Sequence, residues 1–300
     1  MKFLNRKVFL VVLCVLMVVS VSLAVAWAQG GLPVADAAQS GVTVLKNEKA
    51  TVDASNLVRG FVTVSYTGGK NVKIKVQITK SGGEAYSYNL NNAGNPETFP
   101  LTEGNGQYTV TVFENTTNGK YAQAYSTKLD VKLRDPLLPF LYPNQYVNFN
   151  AKSNVVAKAE ELCKGKNSSL EKVEAVYSYI VKNFTYDRER AATVKSGYLP
   201  VVDDVLAAKK GICFDYSAVM SSMLRSQGIP CKLVVGYTGK TYHAWINVYI
   251  EGQGWIEQYI FFDGTNWTMM DPTFVSSGKG SDSIKKYVTT AGNYVQKYAY

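Results

Sequence analysis

The chain has 300 residues, enough for one large domain or two ordinary ones, with 46% hydrophobic and only 18% charged residues and a formal net charge of +9. That composition excludes a disordered chain, and its polar surface must come from Asn, Ser, Thr, Gly and 21 tyrosines, a mix that suits β-rich extracellular proteins. One histidine, His243, and four cysteines, Cys14, Cys163, Cys213 and Cys231, lack the short paired spacings of a structural zinc site and are too sparse for a disulfide framework, so neither a metal nor a cofactor is expected.

Lys2, Arg6 and Lys7 precede an apolar run from Val8 to Ala26, and Ala26-Trp27-Ala28 follows as a small-x-small cleavage pattern. Residues 1–28 read as a secretory signal peptide, with an uncleaved membrane anchor as the alternative. Without the three basic residues of that segment the net charge is +6. A mildly basic exported protein is expected to be secreted or associated with the cell envelope, with a protein or peptide substrate or envelope polymers as partners. Nucleic acid is not an expected partner, and membrane contact is expected only through the signal segment.

Residues 29–40 read as a linker. From 41 to 135 the pattern has period two. Val72 to Thr79 alternates apolar with Lys, Gln and Thr, and Phe61 to Tyr66 precedes it across Thr67-Gly68-Gly69-Lys70, a hairpin-type turn. Tyr86, Tyr88 and Leu90 share a face of the next strand. Asn91 to Gly106 reads as a polar loop, Tyr108 to Val112 resumes the alternation, and two more short strands reach Leu133. The expected fold is an antiparallel, Ig-like β-sandwich that folds alone and is dispensable for chemistry. Pro136, Pro139 and Pro143 mark residues 136–152 as a linker.

The second half, 153–300, changes period. Ser168 and Glu171 form a capping box ahead of Leu170, Val173, Tyr177, Ile180 and Phe184 at helical spacing. Asp203 to Lys210 reads as a short helix. Gly211-Ile212-Cys213 opens another, with a buried stripe of Tyr216, Val219, Met220, Met223 and Leu224 and a stop at Gly228. Cys231 to Tyr237 and His243 to Ile250 read as strands, the second with His243 and Trp245 on one face. Tyr259 to Asp263 and Trp267 to Asp271 are further strand candidates. Helices first and strands after, without a repeated strand–helix unit, define an α+β domain.

Cys213 stands at the first turn of a helix, where unpaired N–H groups and the helix dipole favour a thiolate. Asp215, two residues on, opposes that charge unless another group engages it or it caps the helix. His243 opens a strand 30 residues later, and Asp271 ends a strand 28 residues beyond. Cys-helix, strand-His and strand-Asp in this order match the papain-type arrangement, in which the imidazole takes the thiol proton and the carboxylate orients the imidazole.

Six segments carry a resemblance: Asn183-Phe184-Thr185-Tyr186-Asp187, Gly211 to Ser217, Leu224 to Pro230, Gly236-Tyr237, His243-Ala244-Trp245 and Met270-Asp271-Pro272-Thr273. Together they resemble the transglutaminase-like superfamily of papain-fold domains, over about a third of the chain. The resemblance implies Cys213 as nucleophile, His243 as base and Asp271 as its orienter, and it points to Tyr186 as a side-chain oxyanion donor beside the Cys213 backbone N–H. Tyr186 as a packed core aromatic is the alternative. Trp245, Tyr242 and Asp215 are candidates for lining the cleft; Trp255 and Trp267 read more simply as core. The expected function is an exported cysteine acyl-transfer enzyme working on protein or peptide amides through a thioester, with transfer to an amine placed ahead of hydrolysis; the alternatives are a cysteine peptidase or amidase of the envelope with the same triad, and an inactive envelope-binding scaffold. No calcium-loop pattern is present, so the calcium requirement of animal transglutaminases is not implied.

Overall fold

The computed structural model describes residues 34–37, 39–117, 119–257, 261–262, 267–268 and 294–300. The expected signal peptide, Cys14 and Asp271 lie outside the described residues, as does the side chain of Trp267. No described helix is long and apolar enough to cross a membrane.

Two four-stranded antiparallel sheets form the expected sandwich. The first holds β1 (Val44–Lys46), β2 (Ala50–Asp53), β3 (Phe61–Tyr66) and β6 (Glu97–Pro100), in that order. The second has the order β5 (Ala85–Leu90), β4 (Ile74–Lys80), β7 (Gly106–Asn115) and β8 (Tyr121–Val131). Ile74, Val76 and Ile78 of β4 are buried while the residues between them are half-buried, as the alternation requires.

The expected hairpin between Phe61–Tyr66 and Val72–Thr79 does not form. β3 pairs with β2 and β6, and β4 with β5 and β7, so the intervening turn crosses between sheets. All six residues of β3 are buried, which suits a strand covered on both faces. The Tyr66 hydroxyl fixes the crossing by donating to Glu114 of β7 at 2.6 Å, with Lys49 and Lys70 on the same carboxylate at 3.0 and 3.1 Å. The Asn91–Gly106 loop contains β6, and one long strand, β8, stands where two short ones were expected.

Residues 136–152 are packed rather than a loose linker. Phe140, Asn144, Gln145, Val147 and Phe149 are buried, and the Tyr142 ring lies 5.0 Å from Phe61. One contiguous apolar core runs from the sandwich through Val147 and Phe149 into the second half of the chain. This continuity contradicts a sandwich that stands apart.

The α+β part has helices α1 (Asn154–Cys163), α2 (Ser169–Asn183), α3 (Arg188–Thr193), α4 (Val202–Ala208) and α5 (Cys213–Ser226). The capping box at Ser168 and Glu171 opens α2 as expected. Every residue of α5 from Asp215 to Ser226 is buried, so it is the central helix rather than a one-sided one. Gly228, at φ 74°, ends it. An antiparallel sheet of order β13 (Gly254–Ile256), β12 (Thr241–Ile250), β11 (Cys231–Thr238) and β16 (Tyr294–Ala299) flanks this helix. Short strands β14 (Phe261–Phe262) and β15 (Trp267–Thr268) pair with each other. Arg225, near the end of α5, is buried and donates to the carbonyls of Cys231, Tyr142 and Tyr300, tying helix, linker and sheet together.

Candidate active site

Cys213 is the first residue of α5, after Ile212 in extended backbone at the cap position. Asp215 completes the cap, accepting from the Ile212 backbone N–H at 2.8 Å. It also accepts from the Tyr198 hydroxyl at 2.5 Å and from Arg190 at 3.4 Å. Arg190 in turn faces Asp187, the cap of α3, whose other partner is Lys210 at 3.3 Å. The backbone N–H of Arg190 and then the Lys210 ammonium hold the Asp187 carboxyl below the usual carboxylate range. The carboxylate two residues from Cys213 is therefore engaged by a cap, a hydroxyl and a guanidinium. Asp215 is fully buried and forms no part of the cleft wall.

Gly211 allows this close entry, since a Cβ there would lie 2.6 Å from that of Asp215. A two-residue parallel pairing joins Lys210–Gly211 (β10) to Thr185–Tyr186 (β9), with Tyr186 opposite Gly211. Tyr186 thus stands beside the segment that leads into Cys213.

A cavity of about 700 Å³ opens at this helix start. Its wall includes Cys213, His243, Tyr186 and Tyr242. His243 lies on β12 opposite Gly236 of β11 and is buried. The Tyr242 hydroxyl is pushed up by burial first, then by neighbouring tyrosines and the Cys213 sulfur. Tyr146, Tyr198, Phe214 and Tyr300 add aromatic wall that the sequence reading did not single out. Nothing in local spacing marks them: Tyr146 comes from the packed connection and Tyr300 from the far end of the chain.

Trp245 has a different place. It is 2% exposed, lies parallel to the His243 ring at 6.4 Å, and packs with Val234, Tyr294 and Ala299. It backs His243 and is not part of the cavity wall. Strand alternation puts it on the same face as His243, but burial closes that face over the indole. Trp255 packs on Phe140 and Tyr249 with Lys232 over its ring, also away from the cavity wall.

The sandwich contributes wall residues too: Lys75 of β4 and Ser87, Tyr88 and Asn89 of β5. The expectation that the sandwich is dispensable for chemistry conflicts with this wall. The physical reason is that β5 is an edge strand of its sheet, so the α3–α4 loop can approach its outward face, where Ser87 and Asn89 remain exposed. The Asn89 side chain approaches Gly197 so closely that a Cβ there would lie 2.7 Å from its amide nitrogen.

A cysteine at a helix start, in one cavity with a strand-borne histidine, is the layout of papain-fold thiol domains. The family model of the transglutaminase-like superfamily matches residues 156–272. Residues 156–272 of this chain accordingly carry a transglutaminase-like domain, preceded by an antiparallel β-sandwich. Over 166 residues the chain is 29% identical to the uncharacterised protein YebA of Bacillus subtilis, covering 46% of this chain and 22% of that one. Over 155 residues it is 30% identical to the kyphoscoliosis peptidase of Mus musculus, covering 45% and 22%. A solved structure from Cytophaga hutchinsonii, assigned as a cysteine protease, is similar at 18% identity and TM-score 0.38, covering 80% of this chain and 71% of that one. The match thus spans under a quarter of the length of YebA and of the mouse peptidase.

Proposed function

We propose that this chain is an extracytoplasmic cysteine enzyme that opens protein or peptide amides through a thioester on Cys213. The observation that carries the reading is the cavity wall that holds Cys213, at the first position of α5, together with His243 and Tyr186. The Cys213 thiolate attacks the amide carbonyl carbon. The oxyanion that forms accepts from the Cys213 backbone N–H and the Tyr186 hydroxyl. Collapse breaks the C–N bond, and the amine leaves with the proton that His243 took from the thiol. Water or a second amine then attacks the thioester, His243 accepts its proton, and the thiol is restored. Asp271 is the residue proposed to orient His243 during both steps. Export, a partner at the envelope and independence from a cofactor belong to the same proposal.

Water is favoured as the acceptor by two observations. Amine transfer needs an apolar channel that excludes water, and Trp245, the ring expected to build it, backs His243 instead. The described charged residues of the wall, Lys75 and Lys195, are cations that repel an incoming lysine ammonium. The kyphoscoliosis peptidase, named for peptide cleavage, agrees in direction. The test incubates the protein with envelope proteins and a labelled primary amine, then maps modified residues and new termini by mass spectrometry. Cleaved or deamidated products that vanish in Cys213→Ala support hydrolysis. Amine adducts that vanish in the same variant support transfer, and products unaffected by Cys213→Ala overturn the reading.

A further inference from the structure

β11, β12 and β16 carry an apolar surface beside the cavity that the thiol chemistry does not use. Tyr237 stands directly opposite Tyr242 on β12 and Val295 on β16, so the three side chains share one face of the sheet. Val235 and Ala244, the next residues on that face, are buried and line the cavity with Cys213. Farther along the face, Tyr237 is 40% exposed, Tyr242 57% and Val295 59%. The Tyr237 and Tyr242 rings meet edge to face with centroids 5.4 Å apart, a contact that steadies both without covering either. Tyr242 belongs to the cavity wall as well, and its hydroxyl senses the Cys213 sulfur, so the ledge begins inside the cleft and runs out onto the surface. Val194 of the same wall is exposed too. Half of the large apolar side chains exposed among the described residues thus gather at one mouth, whereas single scattered ones are the ordinary case.

We infer that Tyr237, Tyr242 and Val295 form a specificity subsite, an apolar ledge that receives a large aromatic or branched aliphatic side chain of the peptide substrate within three residues of the amide that Cys213 attacks. The inference rests on Cys213 acting on a peptide amide and adds which peptides it takes. Three adjacent strands make the ledge about 10 Å wide, the reach of about three extended residues. A peptide whose amide lies at Cys213 passes Tyr242, because that ring is wall of the same cavity. An apolar side chain laid on the ledge covers both rings and Val295, and removing that area from water favours its binding.

The experiment uses the full chain and peptides in which the reactive amide is replaced by an α,β-unsaturated amide within the backbone, so that the peptide continues on both sides. The Cys213 thiolate adds to the β-carbon, a C–S bond forms and the α-carbon takes a proton, so each event is read as the whole probe's mass on Cys213. Six probes carry one phenylalanine at the first, second or third position on either side in a serine background, and a seventh carries serine throughout. At one position or two neighbouring ones, phenylalanine is expected to speed labelling roughly three- to tenfold over serine, about what half-covering a large apolar side chain supplies. The gain should persist in 0.5 M salt, which screens charge and leaves apolar contact in place. It should fall toward one in Tyr237→Ser/Val295→Ser, fall partway in Val295→Ser alone, and survive in Tyr237→Phe, which keeps the ring. No gain at any of the six positions in the unaltered chain, or a gain that survives the double substitution, overturns the ledge and leaves the thiol chemistry standing. If iodoacetamide labels Cys213 while none of the peptides does, the cleft is not a peptide site and both readings fall.

Discussion

The Tyr198 hydroxyl donates to Asp215 at 2.5 Å, so a residue of the cavity wall is bonded to the carboxylate that caps the helix carrying Cys213. Burial and then the Asp215 charge push the Tyr198 hydroxyl up, which keeps it a donor at any physiological pH. Arg190 stacks over the Tyr198 ring at 5.6 Å and reaches the same carboxylate. The start of α5 is thereby locked from three directions. Tyr198→Phe should cost about 1.5–3 kcal/mol, the range for a hydrogen bond to a charged partner. Asp215→Ala should cost more, since it also removes the cap and the Arg190 ion pair. Urea denaturation of the two variants checks the order. Equal stability of Asp215→Ala and the parent chain would show that the network carries no load.

Cys213 should be the cysteine that reacts. Cys163 and Cys231 are buried, and burial pushes both thiols up, Cys231 to about 11. At pH 7 both are thereby held in the unreactive thiol form more firmly than an ordinary cysteine. Brief iodoacetamide treatment at neutral pH is expected to modify Cys213 at least tenfold faster than either other residue, and His243→Ala should slow it. Similar rates at all three, measured by peptide mapping, would remove Cys213 from its role.

The Glu114 site predicts an acid dependence. The Tyr66 hydroxyl and then the Lys49 and Lys70 ammonium groups hold the Glu114 carboxyl down, from its ordinary 4.5 to about 2. A carboxyl that titrates lower when folded stabilises the fold fully above its unfolded value, and that contribution disappears as pH falls from about 5 toward 2. Glu114→Gln should therefore lower the melting temperature by several degrees at pH 7, and the gap to the parent should narrow steadily below pH 4. A gap that is constant from pH 7 to pH 3 would mean that the charge of Glu114 contributes nothing.

The sandwich should be needed for an intact thiol domain. Tyr88 of β5 packs on Phe99, Tyr146 and Tyr300, and the last two form cavity wall. A chain starting at residue 136 leaves these rings uncovered, so it is expected to bind a hydrophobic dye and to lose selective labelling of Cys213. Tyr88→Ala in the full chain should cost about 3–5 kcal/mol, the range for emptying a large aromatic site. A truncated chain that melts cooperatively and labels only Cys213 would restore the sandwich to an independent module.

Local patterns made most of this structure legible. The β4 alternation, the Ser168–Glu171 box and the glycine stop after α5 each act within a few residues, so sequence reveals them. α1 was hidden because its N-terminus is capped from afar: Asp203 of α4 accepts from the backbone N–H groups of Asn154 and Val155, both at 2.9 Å. The strand exchange after β3 was hidden for a similar reason, since a polar turn with two glycines fits a hairpin or a crossing, and the Tyr66–Glu114 contact decides. At the site, Cys213 and His243 could be named from motif order and Tyr186 from the family resemblance, and the structure brings all three to one cavity. Lys75, Tyr146, Tyr198 and Tyr300 could not, because tertiary packing alone assembles them. Asp271 lies outside the described residues.

Trp245 separates two accounts of the acyl group's fate. A ring that roofed the cavity would shield the thioester from water, and its loss would lower the share of amine product while acylation continued. The observed ring instead lies parallel to the imidazole of His243, edge-on to Tyr294 at 5.1 Å, and buried. Gly236 confirms how little space surrounds it: a Cβ there would come within 2.9 Å of the indole and 2.0 Å of the Val295 carbonyl oxygen. Deleting the indole leaves a void behind His243, and a base displaced by an ångström takes the thiol proton poorly. Trp245→Ala should therefore slow acylation of Cys213 by about tenfold or more, with the ratio of amine product to hydrolysed product unchanged. Trp245→Phe, which keeps an aromatic face behind the imidazole, should recover most of the rate. Single-turnover assays with a labelled amine read both quantities at once. A ratio that drops in Trp245→Ala while acylation holds would return the indole to the cavity roof and make transfer to amines the favoured reaction.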